Sequence, residues 1–243
     1  MKGIILAAGR GSRMKAMTMD KPKCLVLLNG KSLLARQIGA FRKAGITEIA
    51  IVTGYRRELL EQYSDKEFHN PYWDKTNMVE SLRCASEWLQ ESPCVVSYSD
   101  IVFEPAAITS LIGSPSDISI TYDPSWLDLW GLRFEDPLTD AETFKLGAQG
   151  QLREIGGSAS TTSEIDGQYM GLLKFTPVGW KHFDLVFSKL SRKARATVHM
   201  TDMLQKIIDS GLMQVGAVRY KGLWSEIDSE TDLAVAERIY SSG

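Results

Sequence analysis

The chain has 243 residues, 44% of them apolar, and a formal net charge of −2 at pH 7. That length suits one large domain or two small ones with a sizeable core. The near-balance of charge argues against a nucleic-acid surface or a charged tail, and no apolar run is long enough to span a bilayer.

Lys2–Ala7 is a short apolar run ending in glycines, which predicts a buried strand rather than a signal peptide. Ser32 can cap a helix with the stripe Leu33, Leu34, Ile38 and Phe41, closed by Gly45. Glu48–Thr53 reads as a second strand, followed by a short helix around Arg57–Tyr63. Another helix is predicted from Asn77, with Asn77 and Glu80 in capping-box spacing and Met78, Val79, Leu82, Ala85 and Leu89 on one face. Val95–Ser99 is a third strand, with Asp100 at its carboxyl end. Strands alternating with helices argue for a mainly parallel sheet.

After Ile118 the pattern changes. Thr143–Gly147 and Gln151–Ile155 flank Ala148-Gln149-Gly150 and read as a hairpin. Gly156–Gly167, rich in Ser, Thr and Gly, reads as a mobile loop. Gln168–Phe175 is a strand, followed by helices over Val178–Leu190 and Thr201–Ser210, a strand over Gln214–Tyr220, and a last helix opened by Ser229 and Asp232. The expectation is a single α/β domain over residues 1–243, with a mixed, mainly parallel sheet and a small antiparallel insertion. Cys24, Cys84 and Cys94 form no CxxC pair, so three reduced cysteines in a cytoplasmic protein are expected.

The segment with most chemistry is Leu6-Ala7-Ala8-Gly9-Arg10-Gly11-Ser12-Arg13-Met14, followed by Lys21-Pro22-Lys23. A strand running into glycines lets backbone N–H groups approach phosphates, and Arg13 and Lys23 can neutralise them. A dinucleotide loop wants a third glycine where Met14 stands, and a Walker loop wants a glycine where Leu25 stands, five residues before Gly30-Lys31-Ser32. The plain alternative is a strand-to-helix turn. Asp100 ends a buried strand, where α/β sheets place ligands, and hard carboxylate oxygens suit Mg²⁺. Glu226 would share a strand face with Asp228 as a third ligand or a solvated charge. His69, His182 and His199 show no metal spacing, and His199 reads as a surface residue.

These motifs resemble the nucleotidyltransferase superfamily that activates sugars and alcohols as nucleoside diphosphates. The likeness extends through Val96–Asp100 and through Trp224-Ser225-Glu226-Ile227-Asp228-Ser229. The last of these motifs is shared with the phosphocholine and aminoethylphosphonate members of the cytidylyltransferase branch, and Asp74–Val79, Trp126–Trp130, Arg133-Phe134 and Asp140–Thr143 look most like its phosphoglutamine members. The resemblance implies a Rossmann-like three-layer sandwich. It also implies CMP transfer from CTP to a small phosphate or phosphonate, in the service of capsule, surface-polysaccharide or phosphonate assembly. It assigns the phosphates to Lys23, Arg13 and the loop Arg10-Gly11-Ser12, and Mg²⁺ to Asp100 and Asp228, with Glu226 in reserve. It puts the nucleoside over Leu6, Ala8 and Gly9, near Gly54, Asn77, Ser81 and Ser99.

For the acceptor, Trp126, Trp130, Tyr169 and Trp224 could supply rings, Glu142 or Asp202 a carboxylate, Thr201 a hydroxyl, and Arg133 a guanidinium for an acid group. A pocket of both signs favours a phosphorylated amino acid or amide, then phosphocholine or an aminophosphonate. Neither nucleic acid nor membrane is an expected partner; a homodimer is the assembly considered. Three rivals stay open. These are a sugar-1-phosphate enzyme using UTP or dTTP, a nicotinamide dehydrogenase, and an inactive nucleotide-binding regulator.

Overall fold

The computed structural model describes residues 1–64 and 66–241. Strand β1 (Lys2–Ala7) forms as predicted. A small hairpin of β2 (Leu27–Leu28) and β3 (Lys31–Ser32) leads into α1 (Leu33–Lys43), where the Ser32 hydroxyl accepts from the Ala35 N–H at 3.2 Å and the predicted stripe is buried. Then come β4 (Ile49–Thr53) and β5 (Lys66–His69). Between them the expected helix is only two 3-10 turns, Arg57–Leu59 and Glu61–Tyr63, neither of which has a buried residue or a side-chain cap to support an α-helix.

The helix expected from Asn77 divides into α2 (Met78–Arg83) and α3 (Ser86–Glu91). The Ser86 hydroxyl donates back to the Arg83 carbonyl at 2.6 Å, a side-chain bond that competes with the helical one. Asn77 does cap α2, but by accepting from Met78, while Glu80 pairs with Arg83. The chain continues through β6 (Cys94–Tyr98), β7 (Ile101–Phe103), α4 (Pro105–Ile112), β8 (Ile118–Asp123) and α5 (Trp126–Arg133). β9 (Glu142–Leu146) and β10 (Gln151–Ser158) form the predicted hairpin. The expected loop after it is partly regular, since β10 runs on to Ser158 and Thr162–Glu164 is a 3-10 turn closed by a capping box of Thr161 and Glu164. Last come β11 (Gln168–Phe175), α6 (Pro177–Ser188), α7 (Arg192–Thr197), α8 (Met200–Ser210), β12 (Val215–Arg219), β13 (Trp224–Glu226) and α9 (Glu230–Ser241).

Among the described residues nine strands form one mixed sheet, ordered β5-β4-β1-β6-β11-β8-β12-β10-β9. All but β11 and β10 run in one direction. The β9–β10 hairpin therefore extends the edge of the main sheet. A separate ribbon pairs β7 with β13, setting Ile101 opposite Glu226. The Ile227 N–H then donates to the Asp100 carbonyl at 2.9 Å, which brings Asp228 beside Asp100 although they are 128 positions apart in sequence.

The largest core lies on the sheet. A smaller one joins Met14, Val26, Leu28, Leu33, Val102, Ile227, Leu233 and Ala236. Met14, the residue that spoils the dinucleotide pattern, is fully buried there and anchors the glycine loop beside Ile227. Cys24 and Cys94 are buried and free, and burial pushes both thiols up to about 12. Among the described residues no helix is long and apolar enough to cross a membrane.

Candidate active site

Two cavities meet at the carboxyl ends of β1 and β6. The first, about 310 Å³, is lined by Leu6, Ala8, Gly9, Gly11, Ser12 and Arg13 from the glycine loop, by Lys23, by Asn77 and Ser81, and by Ser99 and Asp100. The second, about 230 Å³, is lined by Trp130, Glu142, Tyr169, Thr201, Glu226 and Asp228 among the predicted residues. Arg13, Met78 and Tyr98 line both.

At the junction Lys23 Nζ donates to Asp100 Oδ2 at 2.8 Å and to Asp228 Oδ1, and Arg13 reaches Asp228 Oδ2 at 2.9 Å. The Lys23 side chain is only 7% exposed. Burial opposes its charge, but the two carboxylates outweigh burial and hold its pKa above the ordinary lysine value. Local backbone makes the approach: Gly11 lies at φ +75°, and a Cβ there would sit 2.6 Å from Lys23 Cβ. Pro22 ends the extended segment, so Lys23 opens a 3-10 turn with its side chain under the loop.

The carboxylates also have the character of a divalent-cation site. Asp100 Oδ1 is buried with no hydrogen-bond partner. Two carboxylates are what Mg²⁺ usually takes from protein when phosphates and water complete its shell. Among the described residues no group of three or more His, Cys, Asp or Glu is arranged to hold a metal. Glu226 is committed elsewhere, accepting from Arg133 at 3.0 Å. Burial and neighbouring Asp228 raise its carboxyl, against the pull of Arg133.

Six predicted residues lie away from both cavities. Arg133, expected to hold an acid group of the acceptor, is instead buried and paired with Asp232 and Glu226. Glu142 lies apart from it, with its Oε1 3.4 Å from the Thr201 hydroxyl. Trp126 and Trp224 back the cavity wall: each ring centroid is 6.1 Å from that of Trp130, and Trp224 Nε1 donates to Asp123 at 2.8 Å. Asp202 is exposed and accepts from the His199 N–H, closing the start of α8. Arg10 is exposed over the Tyr55 ring. Gly54 acts by what it lacks, since a Cβ there would meet the Ala8 carbonyl and Trp73 Cβ at 2.6 Å.

Sequence reading missed Trp73 and Thr76 in the first cavity, Asp140, Gln168, Gly171, His199 and Met200 in the second, and Tyr98 in both. Trp73 and Thr76 sit in a turn without periodicity. Asp140 follows a 3-10 turn, Pro137–Thr139, that left no signal. Tyr98 could have been found, as the last residue of β6 before Ser99-Asp100. Its ring meets Tyr169 edge-on at 5.7 Å. Gln168 brackets the Glu142 backbone, donating to its carbonyl at 2.7 Å and accepting from its N–H at 3.3 Å. Asp140 accepts from Trp130 Nε1 at 3.1 Å. Burial raises both the Asp140 and Glu142 carboxyls.

The profile of the MobA-like NTP transferase domain matches residues 3–126. The CTP:phosphoglutamine cytidylyltransferase of Campylobacter jejuni is 37% identical over 251 aligned residues, covering 97% of this chain and 98% of the relative. Two solved structures share the fold across 98% of the chain at 23% identity. They are the inositol-1-phosphate CTP transferase from T. maritima, with a TM-score of 0.78 over 94% of its length, and the CTP:phosphocholine cytidylyltransferase from Streptococcus pneumoniae, with 0.71 over 98%.

Proposed function

The chain belongs to the MobA-like NTP transferase family, and from that premise we propose that it transfers CMP from CTP to the phosphate of a phosphorylated amino acid or amide, releasing pyrophosphate. The observation that carries this reading is the junction. Asp100 lines one cavity, Asp228 lines the other, and Lys23 ties them together.

CTP occupies the first cavity and the acceptor the second. An acceptor phosphate oxygen bonds to the α-phosphorus as the bond from that phosphorus to the bridging oxygen breaks. Pyrophosphate leaves with the electron pair. A phosphate already ionised at neutral pH needs no general base, so the protein's work is positioning and charge stabilisation. Lys23 and Arg13 exchange carboxylate partners for phosphate oxygens at the junction. Asp100 and Asp228 are the residues that would hold Mg²⁺. When bound, the ion supplies positive charge to the phosphate oxygens.

The acceptor class is supported by the charge of the second cavity. Asp140 and Glu142 have hydrogen bonds but no ion-pair partner among the described residues, and Trp130, Tyr98 and Tyr169 stand beside them. Carboxylates among rings suit an ammonium group. His199 and the first turn of α8 line the same cavity, with that helix end already capped by His199 and Asp202. An amino-acid acceptor is supported by the 37% identity to the CTP:phosphoglutamine cytidylyltransferase. The product, a CDP-linked amino acid, would suit surface-polysaccharide assembly.

Glu142→Gln is expected to raise KM for the acceptor about tenfold, in the range of a lost hydrogen bond to a charged group, with KM for CTP unchanged. Steady-state kinetics with phosphoglutamine, phosphoserine, phosphocholine and aminoethylphosphonate test the ranking. A wide margin for phosphocholine would refute the amino-acid reading.

CTP is expected to be used about tenfold faster than UTP, within the ~1–3 kcal/mol that an unmatched hydrogen bond on the base edge costs. The Ser81 hydroxyl accepts from Asn70 and still has a proton to donate to N3 of cytosine, an acceptor where uracil carries an N–H. Asn77 has less to offer than its position suggests, since its amide already caps α2 and donates to the Thr197 carbonyl. Pyrophosphate release measured with each nucleotide checks this, and equal rates would favour the sugar-nucleotide rival.

A further inference from the structure

Arg133 touches neither cavity, yet everything it holds leads to Asp228. Its side chain is 1% exposed at the end of α5. The guanidinium donates from Nε to Asp232 Oδ1 at 2.8 Å and from Nη1 to Glu226 Oε2 at 3.0 Å. Its Cζ lies 4.9 Å from the Trp130 ring centroid and 5.0 Å from that of Phe134. Asp232, 4% exposed, uses its other oxygen, Oδ2, to accept from the Asp228 N–H at 3.0 Å, the Ser229 N–H at 2.8 Å and the Ser229 hydroxyl at 2.9 Å.

The segment Glu226–Asp228 is thus fixed at three successive residues. Glu226 is held by Arg133, Ile227 by the Asp100 carbonyl, and the Asp228 backbone by Asp232. Only a planar fork with several donors can serve Asp232 and Glu226 at once from one buried position. An ordinary helix cap would need Asp232 alone. The arginine adds a tie from that cap to α5, which carries Trp130 into the acceptor cavity.

We propose that Arg133 and Asp232 form a buried brace that positions Asp228 for the transfer and ties it to the acceptor-cavity wall. Arg133 is then a positioning residue, acting through Asp232 and Glu226 without meeting substrate. The inference rests on the reading of Asp228 as part of the reacting site.

The test is steady-state kinetics of Arg133→Lys, Asp232→Asn and the double variant, with CTP and phosphoglutamine, alongside thermal unfolding. Lysine keeps the charge but cannot span both carboxylates. Arg133→Lys should lower kcat about 10- to 100-fold, the usual loss when a supporting partner of a metal or active-site ligand is removed. KM for CTP should stay within about twofold of the parent, since only the orientation of Asp228 changes and such losses fall on kcat, and the protein should remain folded. Asp232→Asn should give the same split, and the double variant should be no slower than the slower single, because both break one brace.

Wild-type kcat in Arg133→Lys, a loss confined to KM for the acceptor, or losses that multiply in the double variant would each overturn the brace. Should Arg133→Lys fail to fold, the kcat and KM split of Asp232→Asn decides alone. If the unaltered protein releases no pyrophosphate from CTP with any acceptor, the functional reading fails instead, which is a separate outcome.

Discussion

Lys23→Ala is expected to lower turnover about 100-fold, or about 3 kcal/mol, the usual loss for one preorganised charge-stabilising contact. The expectation follows from where the ammonium sits. It is buried at the junction of the two cavities, held in its charged form by Asp100 and Asp228, and its stem is fixed against Gly11. Once Lys23 has exchanged carboxylate for phosphate as CTP binds, it has no further move to make when negative charge builds on the α-phosphate oxygens, so the contact should favour the transition state over bound CTP. Single-turnover rates together with CTP binding by calorimetry separate the two effects. Normal turnover with weak CTP binding would assign Lys23 to ground-state binding. Alanine also leaves two carboxylates facing one space without their shared cation. Added Mg²⁺ should therefore raise the melting temperature of the variant more than that of the parent.

The left half of the sheet was legible because parallel strands buried on both faces read as continuous apolar runs, as Lys2–Ala7 and Ile49–Thr53 do. β5 escaped because Lys66-Glu67-Phe68-His69 is an edge strand with a single large apolar residue. β8 escaped because Ile118-Ser119-Ile120-Thr121-Tyr122-Asp123 alternates with small hydroxyl residues, yet is buried on both faces. Its Thr121 hydroxyl is satisfied by the Leu172 carbonyl, a partner from a strand far along the chain. The site divides the same way. Gly11, Arg13, Lys23 and Asp100 lie within or at the ends of recognisable local patterns, so their meeting could be expected. Arg133 could not be placed, because its partners Glu226 and Asp232 come from a strand and helix about a hundred residues later. A lone arginine on a helix rich in tryptophan looks the same whether it faces a ligand or closes a buried network.

Asp228→Ala should have the largest effect, a loss of about 1000-fold or more in kcat, equivalent to about 4 kcal/mol. Asp228 accepts from Lys23 on one oxygen and from Arg13 on the other, so its removal releases both cations at once. It is also one of the two carboxylates proposed for Mg²⁺, and Asp100 alone would leave the ion to substrate and water. The fold should survive, since Lys23 keeps Asp100 as a partner and the backbone of residue 228 keeps its bond to Asp232. Chelation should abolish activity in the parent protein and change little in the variant, whose metal-dependent part is already lost. Asp228→Asn separates the two roles. An amide keeps an acceptor for one cation but is a poor Mg²⁺ ligand, so its turnover should stay close to that of the alanine variant if metal dominates. Turnover near the parent level in Asp228→Ala would remove this residue from the reaction, and full activity with chelator present would remove the metal.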